Sequence, residues 1–219
     1  MNRTRIKFCG MTRPDDIHLA CALGVDAIGF VFASQSSRCL AVDQIASLRL
    51  AISPWVTVVA LFMDQSEAEV NTINALLQPT WLQFHGAEDD AFCRRFKLPF
   101  FKTLPMSGNA EDPVIAAKRF PSAAAFLLDG HAPGQSGGRG EAYEWSLAPS
   151  LGKPVLLAGG LRPDNVASAL TLVRPYAVDV SSGIESSVGC KDGKKMQQFI
   201  EEVRCADAKL QQSCQSSNG

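Results

Sequence analysis

Residues 5–32, RIKFCGMTRPDDIHLACALGVDAIGFVF, contain one complete repeating unit of the fold. The runs 5–9 and 27–32 are short and apolar with little polar alternation, which is typical of strands buried on both faces. Between them, residues 14–23 form a helix candidate that Thr12 can cap and that ends at Gly24. The order strand, helix, strand predicts two parallel strands joined by a helical crossover.

The same alternation continues along the chain. Apolar runs of strand length lie at 5–9, 27–32, 56–63, 81–85, 99–103, 124–129, 154–158 and 177–181. Helix candidates follow them at 14–23, 41–52, 66–77, 88–96, 110–120, 144–151, 163–172 and 192–206, with a Ser66–Glu69 capping box and a first-turn Pro163. Eight such units favour a single-domain α/β fold, a (β/α)8 TIM barrel over residues 1–206. A doubly wound open sheet is the alternative, although the chain has no dinucleotide-binding fingerprint. The polar tail, residues 207–219, is predicted to be disordered.

Composition excludes several classes of protein. The 219 residues are 46% hydrophobic with a formal net charge of -1, so no basic excess is available for nucleic acid. No apolar run approaches the roughly 18 residues of a membrane span, and residues 1–9 lack the apolar core of a secretory signal. The 7 cysteines follow no zinc-binding spacing. We therefore expect a cytoplasmic protein with free thiols and without nucleic-acid or membrane partners.

Barrel enzymes carry their active sites at the carboxyl ends of the strands. Two glycine-containing segments end the last two strands, Gly159-Gly160 and Ser181-Ser182-Gly183. Glycine lets the backbone approach a ligand closely, and loops at these positions often bind phosphate. Either segment alone is equally well explained by a tight turn; together they favour a phosphate site.

Two strand ends carry candidates for acid and base chemistry. Cys9 ends the first strand, and Lys7, two residues earlier, shares its face, so a lowered thiol pKa is expected there; the alternative is an inert buried thiol. Asp129 ends the sixth strand, where partial burial suits a proton donor; the alternative is a loop cap. The glycine-rich residues 134–140 are typical of a substrate lid.

Three further polar residues lie near strand ends. Arg38 follows the second strand and is able to clamp a carboxylate through two hydrogen bonds, or to remain a solvated cation. His85 is either a pocket residue or a structural histidine. Asp179 shares the face of Ser181 and can reach an amine or a hydroxyl group.

With these residues at its strand ends, the sequence resembles the phosphoribosylanthranilate isomerase family of tryptophan biosynthesis. The resemblance runs from Lys7 to about Phe199, over nearly the whole chain. It rests on an ordered set of motifs, most of them at strand ends: Lys7-Phe8-Cys9-Gly10-Met11-Thr12, Gly24 to Phe32, Leu82-Gln83-Phe84-His85-Gly86, Leu127-Leu128-Asp129, Gly137-Gly138-Arg139-Gly140 with Glu144-Trp145, Leu157-Ala158-Gly159-Gly160-Leu161, and Val178 to Glu185.

The resemblance implies a cofactor-independent Amadori rearrangement of N-(5-phosphoribosyl)anthranilate, a small-molecule substrate. Asp129 would be the general acid and Cys9, as thiolate, the general base. Arg38 would hold the anthranilate carboxylate, Asp179 would help to bind the substrate, and His85 would line the pocket. The backbone near Gly159, Gly160, Ser182 and Gly183 would hold the phosphate, and no metal is implied. A monomer is favoured over a homodimer.

The chain departs from the family pattern at three places. Ser36-Ser37-Arg38 stands where the family often has Ser-Pro-Arg or Ser-Lys-Arg, and the arginine itself is kept. Val188-Gly189-Cys190-Lys191-Asp192 lacks a proline that is common there, and Arg139 occupies a usually small or polar position. The nearest rivals are the isomerase of histidine biosynthesis, expected to have a carboxylate in place of Cys9, and a non-catalytic barrel that senses a sugar phosphate. An isomerase that serves both pathways also remains open.

Overall fold

Eight parallel strands close into a barrel in chain order, as the sequence predicts. The structure is a computed structural model that describes residues 3–106, 109–130 and 148–216. The strands are β1 (Arg5–Cys9), β2 (Ala27–Val31), β3 (Thr57–Phe62), β4 (Trp81–Phe84), β5 (Phe100–Pro105), β6 (Ala125–Asp129), β7 (Val155–Leu157) and β8 (Ala177–Val180). Each strand lies within two residues of its predicted bounds.

Helices cover the outside of the barrel. They are α1 (Pro14–Leu23), α2 (Ile45–Leu50), α3 (Glu67–Leu77), α4 (Asp90–Cys93), α5 (Pro113–Lys118), α6 (Val166–Val173) and α7 (Gly193–Ser216). After β8, β9 (Glu185–Ser187) and β10 (Cys190–Lys191) form a short antiparallel pair. Within the described ranges, no helix combines the length and apolar character needed to cross a bilayer.

Strand periodicity divides the core into two regions. One set of strand residues, including Phe8, Phe30 and Phe62, packs in a large cluster with residues of the helices such as Phe199. Alternate residues form smaller separate clusters, with Val59, Phe101 and Leu127 in one and Cys9, Val31 and Leu61 in another. Alternating residues of a barrel strand point outward and inward, so the smaller clusters fill the interior.

Barrel closure joins the first strand to the last. β1 pairs with β8 in parallel, and Lys7 lies opposite Asp179 in the register. Two residues further along, on the same face, come Cys9 and Ser181. Barrel closure therefore brings the first and the last of the quoted motifs together at one rim of the barrel.

The predicted N-cap of α1 and the predicted start of α6 are wrong, although α1 begins at Pro14 as predicted. Thr12 does not cap α1; its Oγ1 donates instead to the carbonyl oxygen of Gly189 at 2.5 Å, and the N-cap residue is Arg13. The helix predicted from Pro163 begins at Val166. Asn165 explains the delay, because its side chain accepts from the Arg162 amide and donates to the Gly160 carbonyl, which holds a turn. By contrast, the Ser66–Glu69 capping box and the left-handed Gly24 at the end of α1 are as predicted.

The C-terminal segment also differs from expectation. Residues 207–216 continue α7, where the sequence predicts a disordered tail beyond residue 206. Asp207 accepts hydrogen bonds at 2.7 Å from both the amide and the hydroxyl group of Thr4. These hydrogen bonds connect α7 to the residue that precedes β1 and stabilise the helix where the polar segment begins.

Some predictions fall outside the described residues. The lid at 134–140, with Arg139, lies wholly there, as does the first half of the helix predicted at 144–151. Residues 148–151 of that helix are described and are not helical.

Candidate active site

One pocket at the carboxyl ends of the strands contains every residue that the sequence singles out for binding or catalysis. The pocket is open to solvent at its mouth. The predicted residues that line it are Cys9, Arg38, His85, Asp129, Gly159, Gly160, Asp179, Ser182 and Gly183.

The two candidates for proton transfer are both buried at strand ends. Cys9 and Asp129 are each 5% exposed, and they end β1 and β6. Strands β7 and β8 separate these two in the barrel order, so the thiol and the carboxylate reach the pocket from separate parts of its wall. This arrangement suits an acid and a base that act on different atoms of one ligand.

A buried polar group lies beneath Cys9. Lys7 Nζ donates to both carboxylate oxygens of Asp179 at 2.9 Å and to Gln83 Oε1 at 3.1 Å. Gln83 in turn donates to Thr103 Oγ1 at 3.2 Å. Gly29 makes room for this group, because a Cβ there would lie 2.9 Å from Cys9 Sγ and 3.0 Å from Lys7 Nζ.

The charge balance at Cys9 corrects the sequence prediction. Burial raises the pKa of the Cys9 thiol, the positive charge of Lys7 lowers it, and the negative charge of Asp179 raises it again. The pKa therefore lies above its ordinary value, although Lys7 acts in the predicted direction. Because Asp179 is close enough to neutralise Lys7, the cation lowers the pKa of the thiol less than its position in the sequence suggests.

Asp179 and His85 extend the polar wall toward Asp129. Burial raises the pKa of Asp179, and the hydrogen bonds and charge of Lys7 offset only part of that effect. His85 Nε2 lies 3.7 Å from Asp129 Oδ2, and both side chains are largely buried. His85 therefore has a direct neighbour in the candidate acid, which its position in the sequence does not reveal.

Arg38 lines the pocket, and one edge of its guanidinium group is bound to the carboxylate of Glu185. Its Nε donates to Glu185 Oε1 at 2.7 Å and its Nη2 donates to Glu185 Oε2 at 2.6 Å. Glu185 also accepts from Lys191 Nζ at 2.8 Å. Sequence reasoning missed Glu185 and Lys191 as site residues, although Glu185 ends a segment quoted for the family resemblance and Lys191 lies in a segment quoted as a departure from it.

The two glycine segments pack against each other. Gly159 has a φ of +84°, and a Cβ there would collide with the Gly130 amide nitrogen. A Cβ on Gly183 would overlap the carbonyl oxygen of Leu161. The loop after β7 and the turn at Ser182–Ile184 after β8 therefore touch through backbone atoms, as two parts of one anion site would.

Part of the remaining pocket wall is apolar. Val31, Leu61, Met63 and Leu161 line this part. Within the described ranges, no three His, Cys, Asp or Glu side chains are grouped in a way that could hold a metal ion.

Comparison with known proteins agrees with this arrangement. Residues 6–202 match the family model described as N-(5'-phosphoribosyl)anthranilate (PRA) isomerase. The N-(5'-phosphoribosyl)anthranilate isomerase of Stenotrophomonas maltophilia (strain R551-3) is 53% identical over 207 residues, which cover 94% of this chain and 95% of that protein.

Solved structures show the same relationship. Phosphoribosyl anthranilate isomerase from Thermus thermophilus is 37% identical with a TM-score of 0.81, over 92% of this chain and 99% of that one. A phosphoribosyl anthranilate isomerase in complex with reduced 1-(o-carboxyphenylamino)-1-deoxyribulose 5-phosphate is 30% identical with a TM-score of 0.79, over the same shares. The chain belongs to the N-(5'-phosphoribosyl)anthranilate isomerase family.

Proposed function

We propose that this chain performs the isomerisation of its family, the Amadori rearrangement of N-(5-phosphoribosyl)anthranilate, with Asp129 as general acid and Cys9 as general base. The observation that carries the proposal is the single pocket shared by Cys9, Asp129 and the two glycine segments. The pocket provides a proton donor, a proton acceptor and an anion site for one sugar phosphate.

The proposed reaction begins at the ribose ring. Asp129 protonates the ring oxygen while the bond between that oxygen and C1 breaks, and the anthranilate nitrogen supplies the electron pair that forms a C1–N double bond. The ring opens to an iminium ion. A negatively charged Asp129 then remains beside His85, at 3.7 Å.

The second step moves a proton from carbon. Cys9, as thiolate, takes the proton from C2, and the electrons of that C–H bond form a C1–C2 double bond while the iminium nitrogen becomes neutral. The enolamine product tautomerises to the 1-deoxyribulose ketone. Asp129 has given one proton to the substrate and Cys9 has taken one from it, so proton exchange with solvent returns both side chains to their starting protonation states. The iminium ion accepts the electrons, and the route therefore uses no metal or organic cofactor.

The remaining residues position the substrate. Arg38 is proposed to bind the anthranilate carboxylate with the guanidinium edge that Glu185 leaves available, and Leu61 and Met63 to contact the aromatic ring. Asp179 and His85 are proposed to bind polar groups of the sugar. The backbone near Gly159, Gly160, Ser182 and Gly183 is proposed to hold the phosphate, whose binding energy positions the reacting carbons.

Loss of substrate fluorescence tests the proposal directly. The substrate is generated in place from anthranilate and phosphoribosyl pyrophosphate with a separate transferase, and turnover is compared for wild type, Cys9→Ser and Asp129→Asn. Both variants are expected to bind substrate and to lose about 100-fold or more in kcat, because a hydroxyl is a far weaker base than a thiolate and an amide is not an acid.

Matched variants control for the chemistry of the substitutions. Cys205→Ser and Asp43→Asn change exposed side chains away from the pocket and should leave kcat unchanged. Near-wild-type turnover in either pocket variant would remove that residue from the mechanism. A well-folded wild type that leaves the substrate untouched would contradict the proposed activity, and the histidine-pathway substrate would then be tested.

A further inference from the structure

Three charged side chains lie together behind the pocket at the junction of β1, β8 and the β9–β10 pair. Arg38, Glu185 and Lys191 are exposed by only 6%, 7% and 6%. Glu185 and Lys191 are close in sequence, but Arg38 is 147 positions from Glu185, so only the closed barrel brings Arg38 to this pair.

Glu185 fixes the orientation of Arg38. The two hydrogen bonds of 2.7 and 2.6 Å run side by side from Nε and Nη2 to the two carboxylate oxygens, a bidentate geometry that is more specific than a single contact. The aliphatic stem of Arg38 is also confined, because a Cβ on Gly10 would lie 2.5 Å from its Cδ. The guanidinium therefore has one orientation, with its Nη1 edge outside the Glu185 contact.

Lys191 joins this pair to the strand that carries the candidate base. Its Nζ donates to the carbonyl oxygens of Cys9 at 2.8 Å and Ser181 at 3.1 Å as well as to Glu185. Burial raises the pKa of Glu185, but the hydrogen bonds and charges of Arg38 and Lys191 outweigh it, so the pKa lies below its ordinary value. With all three groups ionised, the cluster has one net positive charge to offer an anion.

Stability alone does not account for such a cluster. Replacing a buried ion pair by apolar side chains of similar volume is often neutral or stabilising. This charged pair lies against a ligand pocket, and the Arg38 edge that Glu185 leaves available gives the pair a role that involves the ligand.

We propose that Glu185 is a positioning residue that holds Arg38 for the carboxylate of the substrate and thereby sets the preference of the enzyme for a carboxylated aromatic amine. The inference rests on the proposed function, because it takes the Arg38–carboxylate contact from there. Glu185 acts through Arg38 and does not touch the reacting atoms.

Selectivity between two substrates tests this role. kcat and KM are measured for N-(5-phosphoribosyl)anthranilate and for the carboxylate-free N-(5-phosphoribosyl)aniline with wild type, Glu185→Gln, Arg38→Met and the double variant. Glu185→Gln is expected to raise KM for the anthranilate substrate at least about 10-fold, to change kcat less than about threefold, and to leave KM for the aniline substrate nearly unchanged. In the Arg38→Met background, Glu185→Gln should have no further effect on the ratio of the two kcat/KM values.

A second buried pair provides the matched control. Glu88 accepts from Lys102 Nζ at 2.8 Å, and both side chains are as buried as those of the Arg38 pair. Glu88→Gln removes the same charge and should lower the melting temperature, but it should leave the ratio of the two substrates as in wild type. If Glu185→Gln folds too poorly to assay, Glu185→Asp keeps the charge but shortens the reach and should give an intermediate ratio.

The outcomes distinguish the role of Glu185 from the contact between Arg38 and the substrate carboxylate. A wild-type ratio in both Glu185 variants, with Arg38→Met losing selectivity, would overturn the role of Glu185 and leave the proposed function standing. A wild-type ratio in Arg38→Met would overturn the carboxylate contact itself, and the proposed role of Glu185 with it.

Discussion

Lys7 is the residue on which the charge of the candidate base depends. It holds Asp179 through two hydrogen bonds, and its charge opposes the effect of burial on Cys9. A base must lose its proton before it accepts one. Since the pKa of Cys9 lies above its ordinary value, the free enzyme should gain activity as the pH rises through the alkaline range.

Lys7→Met should move that gain to still higher pH. Removing the cation takes away the main charge that lowers the pKa of Cys9, and it leaves Asp179, which raises that pKa. The measurement is kcat/KM from about pH 6 to about pH 10, where the rising limb reports the base of the free enzyme. Lys153→Met, at the opposite end of the barrel, should leave the limb in place, and an unchanged or more acidic limb in Lys7→Met would contradict this account.

The residues that the sequence reading missed share one cause. Arg38 and Glu185 are 147 positions apart, and Lys191 is 182 positions from the Cys9 carbonyl that it binds. Strand ends point to Cys9 and Asp129 because a polar residue that ends an apolar run stands out locally. Nothing local marks the glutamate at the start of β9 as the partner of a distant arginine, so these contacts follow only from the closed barrel.

At the scale of elements, strands were more predictable than helix ends. A strand inside a barrel is apolar on both faces, so composition alone marks it. A helix cap or start depends on which partner a polar side chain binds, as two differences show: Thr12 donates its hydroxyl group to Gly189 instead of capping α1, and Asn165 holds the turn that delays α6. At the start of the polar C-terminal segment, Asp207 likewise has a partner distant in sequence, Thr4.

The contact between the loops after β7 and β8 gives a prediction for phosphate binding. Gly183→Ala places a methyl group against the Leu161 carbonyl oxygen, so the turn at Ser182–Ile184 must move away from the loop after β7. KM for the substrate should rise at least about 10-fold with a smaller change in kcat, because the phosphate grip is used in both ground and transition states. Steady-state kinetics on the purified variant measures both constants.

Gly152→Ala is the control for strain without displacement. Gly152 has a φ of +69° and open space around its Cβ position, on the chain that enters β7. The Gly152→Ala variant should be less stable than wild type and should have an unchanged KM. Equal KM values for Gly183→Ala and wild type would show that the two loops do not form one phosphate site.

At the scale of the whole molecule, buried thiols link stability to pH. Cys93 ends α4, is fully buried in the core cluster, and burial raises its pKa from 9.0 to about 12. The unfolded chain loses this proton near the ordinary value, whereas the folded protein keeps it. The free energy of unfolding contributed by Cys93 is therefore constant below about pH 9 and falls as the pH rises from about 9 to about 12, by up to about 1.4 kcal/mol per pH unit.

Cys93→Ala isolates that contribution from the other titrating groups. The variant should be less stable than wild type near pH 7 because a buried sulfur atom is lost, but its free energy of unfolding should fall less steeply above about pH 9. Urea unfolding at a series of pH values, with reductant present, gives both slopes. Cys205→Ala, an exposed change on α7, should keep the wild-type slope. Identical slopes for Cys93→Ala and wild type would mean that the core admits the charged thiolate or enough water to solvate it, in conflict with a fully buried Cys93.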